Sequence, residues 1–399
     1  MNELERIIHS VCPDGVPFKP LGEVGSLFRG NGLQKKDFAE HGVGCIHYGQ
    51  IYTYYGLFTS ETKSKVSPEL ADKLLKVDPG DLVIACTSEN IEDVCKAVAW
   101  LGPEQIVTGG HSAVYKHSLD PKFVAYYFQT SAFANQKKKY ARGAKVIDIK
   151  IEDLAKIEIP VPPLSVQQYI VSILDLFIEL TSSLNVELQS RQKQYEYYRD
   201  NLLSFSNINR GGQSEVKWKT LGEVCKLYTG GEVPDGTIKG QVNPTDACPY
   251  PVYANGKETY GFTNSYQIPD NAVCISSIGA NTGAVFYRIG NFTPAIRLKV
   301  LVPLNSEELD TKFLYYIATT IDFSVKNTGS IPSINADFVK ARTIPIPSLK
   351  EQKRIVAILD HFETLTTDLT NGLPAEIKAR QQQYEYYRDK LLTFSRKAC

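Results

Sequence analysis

The chain carries the same pattern twice, and that repeat limits what it can fold into more than any other feature. IPVPPLSVQQYIVSILD at 159–175 returns as IPIPSLKEQKRIVAILD at 344–360, with 10 of 17 positions identical. SRQKQYEYYRDNLLSFS at 190–206 returns as ARQQQYEYYRDKLLTFS at 379–395, with 13 of 17 identical. Lys19-Pro-Leu-Gly-Glu-Val24 returns as Lys219-Thr-Leu-Gly-Glu-Val224. Such a repeat defines the folding unit before any element is assigned. The segments between, 25–158 and 225–343, share little beyond pattern. Drift after an old duplication would not spare the tails so selectively. Repeated ends around diverged middles point to one scaffold carrying two different specificities.

The tails read as long helices. In the first, Ile170, Leu174, Phe177, Thr181, Leu184, Leu188, Arg191, Tyr195, Tyr198 and Leu202 step by four and three, a heptad seam. Pro162 and Pro163 precede it and Ser165 stands where a capping side chain is wanted. A helix over 165–204 would run about 60 Å. The second tail repeats the seam through Ile355, Leu359, Phe362, Thr366, Leu369, Leu373, Ile377, Arg380, Tyr384, Tyr387 and Leu391, with four extra residues near Asn371-Gly-Leu-Pro374. An insertion of that size preserves a seam while unwinding the supercoil. Gly372 and Pro374 equally permit a kink or a break.

A lone helix of this length is marginal in water, so the two seams are expected to face each other. Leu174, Phe177, Leu184 and Leu188 would meet Leu359, Phe362, Leu369 and Ile377 in an antiparallel pair. The fold class expected is α+β: two α/β, largely β domains separated by two long antiparallel helices forming a coiled coil, with pseudo-two-fold symmetry. The divisions expected are 1–160, 161–210, 211–345 and 346–399. In YEYYRD, Tyr195, Tyr198 and Arg199, with Tyr384, Tyr387 and Arg388, either pack on the neighbouring domain or offer a partner protein two equal docking surfaces.

With 399 residues, two or three domains are expected. Lys plus Arg and Asp plus Glu balance at 44 each, so any positive footprint for nucleic acid must be local. The eight cysteines form no CxxC pair and have no His at ligand spacing, which argues against zinc. Scattered thiols fit a reducing compartment. The start, MNELERIIHSVCPDGV, lacks a signal peptide's basic and apolar regions. No apolar run approaches the roughly 18–20 residues of a membrane helix. A cytoplasmic chain that touches no membrane is expected.

The diverged regions contain short β-rich runs between Gly, Pro and Asn turns: DLVIAC (81–86), AVCISSIG (272–279) and KVLVP (299–303). Each region has one clear helix near its end, PKFVAYYFQTSAFANQ (121–136) and DTKFLYYIATTIDFSV (310–325), and Tyr126-Tyr127 lines up with Tyr315-Tyr316. After the first comes Lys137, Lys138, Lys139, Arg142 and Lys145, a cluster without acids that suits phosphate oxygens. Arg142 could also reach a guanine edge. After the second come Lys326, Asn327, Ser330, Ser333 and Asn335, whose polar groups suit base edges. Further candidates for DNA contact are Tyr48, Gln50 and Tyr52, then Asn255 and Lys257, then Asn281 and Arg288 on a Gly-rich turn. The alternatives are a solvated charge run, hairpins of packed tyrosines, and glycines serving backbone geometry alone.

The two tails, with QYEYYRD(N/K)LLSF and GLPAEI at 372–377, resemble those of type I restriction–modification specificity subunits. The resemblance covers the whole chain in its domain–helix–domain–helix order, and the diverged domains match in outline. It implies that each target-recognition domain reads one half of a split double-stranded DNA site. It also implies that the helices set the spacer and dock two methyltransferase subunits, which bring S-adenosylmethionine and flip an adenine out of each half-site. Restriction subunits, where present, would add ATP and magnesium. One base pair of spacer corresponds to about 3.4 Å and roughly 35°. The chain itself is expected to be non-catalytic and to hold no cofactor and no metal. The sequence lacks Asn/Asp-Pro-Pro-Tyr/Phe, a Walker loop and HExxH. Gly110-His111-Ser112-Ala113-Val114 lacks the closing glycine of a nucleophile elbow. A coiled-coil adaptor that binds no DNA, an orphan specificity subunit without a restriction partner, and an enzyme with an unrecognised site are the competing readings.

Overall fold

The computed structural model describes residues 12–205, 216–324 and 332–397. The chain divides into two compact units, Met1–Leu184 with Ile377–Cys399, and Asn185–Glu376. The fold is α+β, two mixed domains with long helical tails, as the repeat implied.

In unit 1 the run DLVIAC becomes the strand Leu82–Ala85, buried at every position. It has no polar alternation because both its faces are covered. Leu82 and Ile84 face a core built with Phe123, Tyr126, Phe133, Ile170 and Leu174. Val83 and Ala85 face a second core with Ile46, Trp100 and Ile106. The larger sheet runs Gly25–Arg29, Ser112–His117, Leu82–Ala85, Ala97–Trp100, Phe58–Thr59. The smaller runs Ser64–Val66, Val43–Ile46, Ile106–Thr108, Leu75–Val77.

His117 lies against Tyr115, ring centroids 4.8 Å apart, and neither of its ring nitrogens meets hydrogen-bond geometry. Burial pushes its pKa down to about 4, opposed only in part by Asp81, the backbone at Leu119 and Asp120. The folded unit therefore holds this imidazole neutral while the unfolded chain protonates near 6.5. Between those values the unfolded state binds more protons, so stability is full above about pH 6.5 and falls as pH drops toward 4. The loss expected is about 3 kcal/mol at about 1.4 per pKa unit. Denaturant midpoints at pH 7 and 4.5 should differ for the wild type, and by much less for His117→Phe.

Unit 2 repeats the plan with one strand fewer in each sheet among the described residues. Its larger sheet runs Cys225–Thr229, Lys299–Pro303, Ala272–Ile275, Val285–Arg288, and its smaller one Gly261–Thr263, Tyr250–Tyr253, Thr293–Pro294. Each smaller sheet contains one parallel pair, Val43–Ile46 beside Ile106–Thr108 and Tyr250–Tyr253 beside Thr293–Pro294. Each unit also has an antiparallel ribbon at its base, Phe18–Pro20 with Glu158–Pro160 and Lys217–Thr220 with Thr343–Ile346.

The first tail is one helix, Leu164–Leu203. It is long enough, and apolar enough on average, to cross a bilayer, although Asp175 and Glu179 interrupt any continuous apolar run. Its Asp175 is bound by Lys122 Nζ (2.6 Å) and Tyr126 Oη (2.6 Å), so this part of the helix is committed to packing in unit 1. In unit 2, Tyr316 Oη donates to Asp360 Oδ1 (2.5 Å) and Glu363 Oε2 (2.9 Å). Tyr126 therefore matches Tyr316, which shifts the sequence alignment of the tyrosine pairs by one residue. Burial, then the adjacent carboxylates, push both phenols well above their usual range.

The second tail is broken into Leu349–Thr367 and Leu373–Leu391. Asp368 leaves the helix with ψ 120 and its carboxylate accepts from Thr370 N at 2.7 Å. Leu369 is thrown out to 77% exposure and is not a seam residue. Leu174, Leu184 and Leu359 are buried, whereas Phe177, Leu188, Phe362 and Ile377 are half-buried. Phe177 stacks on Tyr387 (5.5 Å) within unit 1 and Phe362 on Tyr198 (5.4 Å) within unit 2. Gly372 is buried where a Cβ would meet the carbonyl oxygens of Thr364 (2.5 Å) and Asp368 (2.7 Å). Gly372→Val should destabilise unit 2 by about 1–3 kcal/mol, the usual range for forcing atoms into a packed site. An unchanged denaturant midpoint would show that the break tolerates a side chain.

Candidate nucleic-acid interface

Strand polarity gathers the loops of each unit at one end of its sheets. In unit 1, Ala113 pairs with both Arg29 and Ile84, and Ile84 with Ala97. The segments 30–34, 86–96 and 109–111 therefore share an end. The parallel pair adds 47–50. The pairing of Thr87 with Asp148 adds 142–148. In unit 2 the same logic assembles 230–236, 254–258, 276–284, 295–298 and 332–334.

The basic loop of unit 1 lies at this end, but its five cations are not equivalent. Lys137 is only 5% exposed, and its ammonium donates to the carbonyls of Glu92 (2.7 Å) and Val94 (2.7 Å). It is an internal clamp, with its pKa lowered by burial, and is removed from the set facing DNA. It faces inward because it sits on the last turn of Ser131–Lys137, on the same side as buried Phe133. Lys138, Lys139 and Lys145 are exposed, and the Arg142 side chain is 74% exposed with Asp153 4.0 Å away.

His47–Gly56 forms a short helix, Tyr48–Thr53, and not a hairpin. Gln50 is buried, accepting from His47 N (3.1 Å) and donating to Ser64 Oγ (2.6 Å). Tyr52 Oη donates to Thr87 O at 2.7 Å. Both polar ends are used internally and are not free for a base. Tyr48 is half-buried beside His111, centroids 5.0 Å apart.

In unit 2 the structure brings Asn255, Lys257, Asn281, Arg288 and Ser333 into one loop cluster, where most serve as ties. Asn255 donates to Ile296 O (2.5 Å) and accepts from Ser277 N (2.7 Å). Arg288 donates to the carbonyls of Gly256 (3.0 Å) and Lys257 (2.6 Å) and stacks on Tyr253, so its guanidinium supports the loop from inside. Asn281 Nδ2 reaches Asn255 O at 3.3 Å and the asparagine stays exposed. Ser333 bridges to Ile278 and is exposed. Asn335 caps Ala336–Lys340 by accepting from Phe338 N at 2.8 Å, a helix-capping role. Lys257 is exposed. Lys326, Asn327 and Ser330 lie outside the described residues.

The YEYYRD pair packs inward for the most part. Tyr384 donates to Gln129 Oε1 (3.2 Å), Asp389 accepts from Ser131 Oγ (2.5 Å), and Arg388 is paired with Asp389 (2.8 Å), all within unit 1. Tyr195 lies against the core of unit 2, and Arg199 pairs with Asp200 at 2.8 Å. Tyr198 and Tyr387 stay exposed in part (43% and 38%), and their neighbours Tyr197 (65%) and Tyr386 (60%) more so.

Sequence reasoning passed over the two glutamines that anchor each helix to its domain. Gln167 accepts from Asp120 N (2.8 Å) and donates to Pro162 O (2.8 Å). Gln352 accepts from Asp310 N (2.8 Å) and donates to Glu308 O (2.8 Å) and Pro347 O (2.9 Å). Their identity between otherwise unlike triplets, Val166-Gln167-Gln168 and Glu351-Gln352-Lys353, was the available signal. Among the described residues no three His, Cys, Asp or Glu side chains are grouped to hold a metal ion.

The family described as type I restriction modification DNA specificity domain matches residues 13–191 and 213–379. The specificity subunit of the Escherichia coli type I restriction enzyme EcoR124I/EcoR124II is 38% identical over 60% of this chain and 63% of its own length. A Mycoplasma pneumoniae protein described as a type I specificity subunit is 34% identical over 70% of this chain and 84% of its own. Among solved structures, the S subunit of M. genitalium superposes with TM-score 0.57 at 17% identity, covering 95% of this chain and 96% of that one. A chain from a type I R-M complex reaches 0.63 at 20% identity, covering 95% and 97%. At such identities the structures speak for the fold, while the sequence match covers both repeats. The chain is therefore a member of the type I restriction–modification DNA specificity family.

Proposed function

We propose that this chain is the DNA sequence-specificity subunit of a type I restriction–modification system, acting in the cytoplasm. The recognition domains, 1–160 and 211–345, each read one half of a bipartite double-stranded site. The helical segments, 161–210 and 346–399, set the spacer and dock two methyltransferase subunits. Those subunits supply S-adenosylmethionine, restriction subunits add ATP and magnesium, and this chain contributes no catalytic residue. The observation that supports this reading most is the pair of equivalent loop ends bearing unlike side chains: exposed Lys138, Lys139, Arg142 and Lys145 in one, Asn281, Lys257 and Ser333 in the other. One frame presenting two chemistries suits two different half-sites, with phosphate contacts positioning and base contacts specifying. Tyr197 with Tyr198, and Tyr386 with Tyr387, exposed at equivalent places in the repeat, are the residues a twice-bound partner would touch.

The test is selection from random duplex DNA by the full chain, alone and with a methyltransferase subunit. A two-part motif with a fixed spacer supports the proposal. No enrichment in either setting identifies a helical adaptor instead. Methyl transfer from labelled S-adenosylmethionine by the chain alone would overturn the non-catalytic assignment.

A further inference from the structure

At the loop end of each larger sheet, the second strand has a left-handed residue two before its first position paired on both sides. In unit 1 it is His111 (φ 64), and in unit 2 Arg297 (φ 59), preceded by Ile296 (φ 50). Register establishes the equivalence: Ala113 pairs with Arg29 and Ile84, and Lys299 with Thr229 and Ile275. A left-handed β-branched residue is a true outlier, costing about 1–3 kcal/mol and surviving only where its surroundings over-determine it.

In unit 2 the surroundings do so. Ile296 N donates to Gly231 O (2.8 Å) and Arg297 N to Gly230 O (3.0 Å). Asn255 Nδ2 donates to Ile296 O (2.5 Å), and Ser277 Oγ to Arg297 O (2.5 Å). Ser277 is itself 1% exposed. Gly230 permits the approach, since a Cβ there would stand 2.7 Å from Ala295 N. The Arg297 side chain is exposed, and among the described residues no carboxylate, carbonyl or ring engages it. The charge that senses it is Lys299, held on Thr229 Oγ1 at 3.1 Å and pushed below its usual range by burial and then by Arg297. An unpartnered guanidinium beside a second cation, on a backbone held by four hydrogen bonds, is a donor aimed outward from a fixed base.

We infer that Arg297 is a specificity-determining residue of unit 2, presenting its planar fork to the O6 and N7 edge of a guanine. A phosphate contact needs only charge and tolerates a loose tether. Bidentate reading needs a fixed Cα, which this strained turn supplies. In unit 1 the same position holds His111, packed on Tyr48, so the two half-sites are read there by different chemistry. The inference rests on the DNA-specificity reading above.

The test compares the full chain with Arg297→Lys and Arg297→Asn by selection from random duplex DNA. Lysine keeps the charge without the fork, and asparagine tolerates the left-handed backbone. Expected is a guanine in the half-site of unit 2 whose preference falls about 10-fold or more in both variants. The half-site of unit 1 should be unchanged, and serves as the internal check that the protein is folded and bound. An unaltered motif in both variants, or a uniform loss across all sequences with the motif intact, would overturn the assignment. A wild-type chain that selects no two-part motif would sink the DNA-specificity reading itself, which is a distinguishable result.

Discussion

Replacing Gln352 with Leu should cost unit 2 about 3–5 kcal/mol. The side chain is fully buried and makes three hydrogen bonds, to Asp310 N, Glu308 O and Pro347 O. Leucine matches it in bulk but leaves three backbone groups without partners. Each orphaned buried group costs about 1–3 kcal/mol, more than the net worth of a typical intact bond. The N-cap of Thr311–Thr319 would be hit as well, because Asp310 is the residue that caps it. Gln167→Leu removes two such bonds in unit 1 and should cost less. Chemical denaturation of the full chain, followed by probes in each unit, measures both. The two units need not unfold together, so a separate transition is expected for the unit that was mutated. A loss under about 1 kcal/mol for Gln352→Leu would mean that water satisfies the freed groups.

The second large effect concerns affinity. Changing Lys138, Lys139, Arg142 and Lys145 together to Ala should weaken binding to every duplex alike. The plot of log affinity against log salt should become shallower by up to about 3–4, since each neutralised phosphate contributes about 0.9. Lys137→Met supplies the contrast. Its ammonium is spent on Glu92 O and Val94 O, so it should lower the stability of unit 1 and leave the salt slope unchanged. An unaltered slope in the fourfold variant would place that loop away from the phosphates. A changed slope in Lys137→Met would return that residue to the surface set.

Much of the architecture was legible because repetition and periodicity are local properties. The 164–203 helix follows from the stepping of Ile170, Leu174 and Phe177. The doubly covered strands follow from runs such as DLVIAC and AVCI, which have no polar alternation. The break at Asp368 was visible only as two alternatives, because both a stutter and a kink accommodate four added residues. What separated them is the close approach of Gly372 to the carbonyls of Thr364 and Asp368, which no one-dimensional pattern records. The basic cluster illustrates the other limit. Five cations in nine residues read alike in sequence, yet one of them points inward.

Candidate reading residues fared unevenly for a related reason. Gln50, Tyr52, Asn255 and Arg288 have the right functional groups, but those groups are consumed by a hydroxyl, carbonyls and amides of their own unit. Arg297 carried no motif and His111 only an incomplete nucleophile elbow, and their backbone angles arise from hydrogen bonds to loops far away in sequence.

Sequence by itself determined that there are two copies of one frame, where their long helices run, where apolar β-rich runs lie, and which family the tails resemble. These are properties of spacing and of residue type. The tertiary structure decided which polar side chains are left over for a ligand. Most buried donors and acceptors must first find a partner, and only contacts across the chain reveal which groups that requirement has used up.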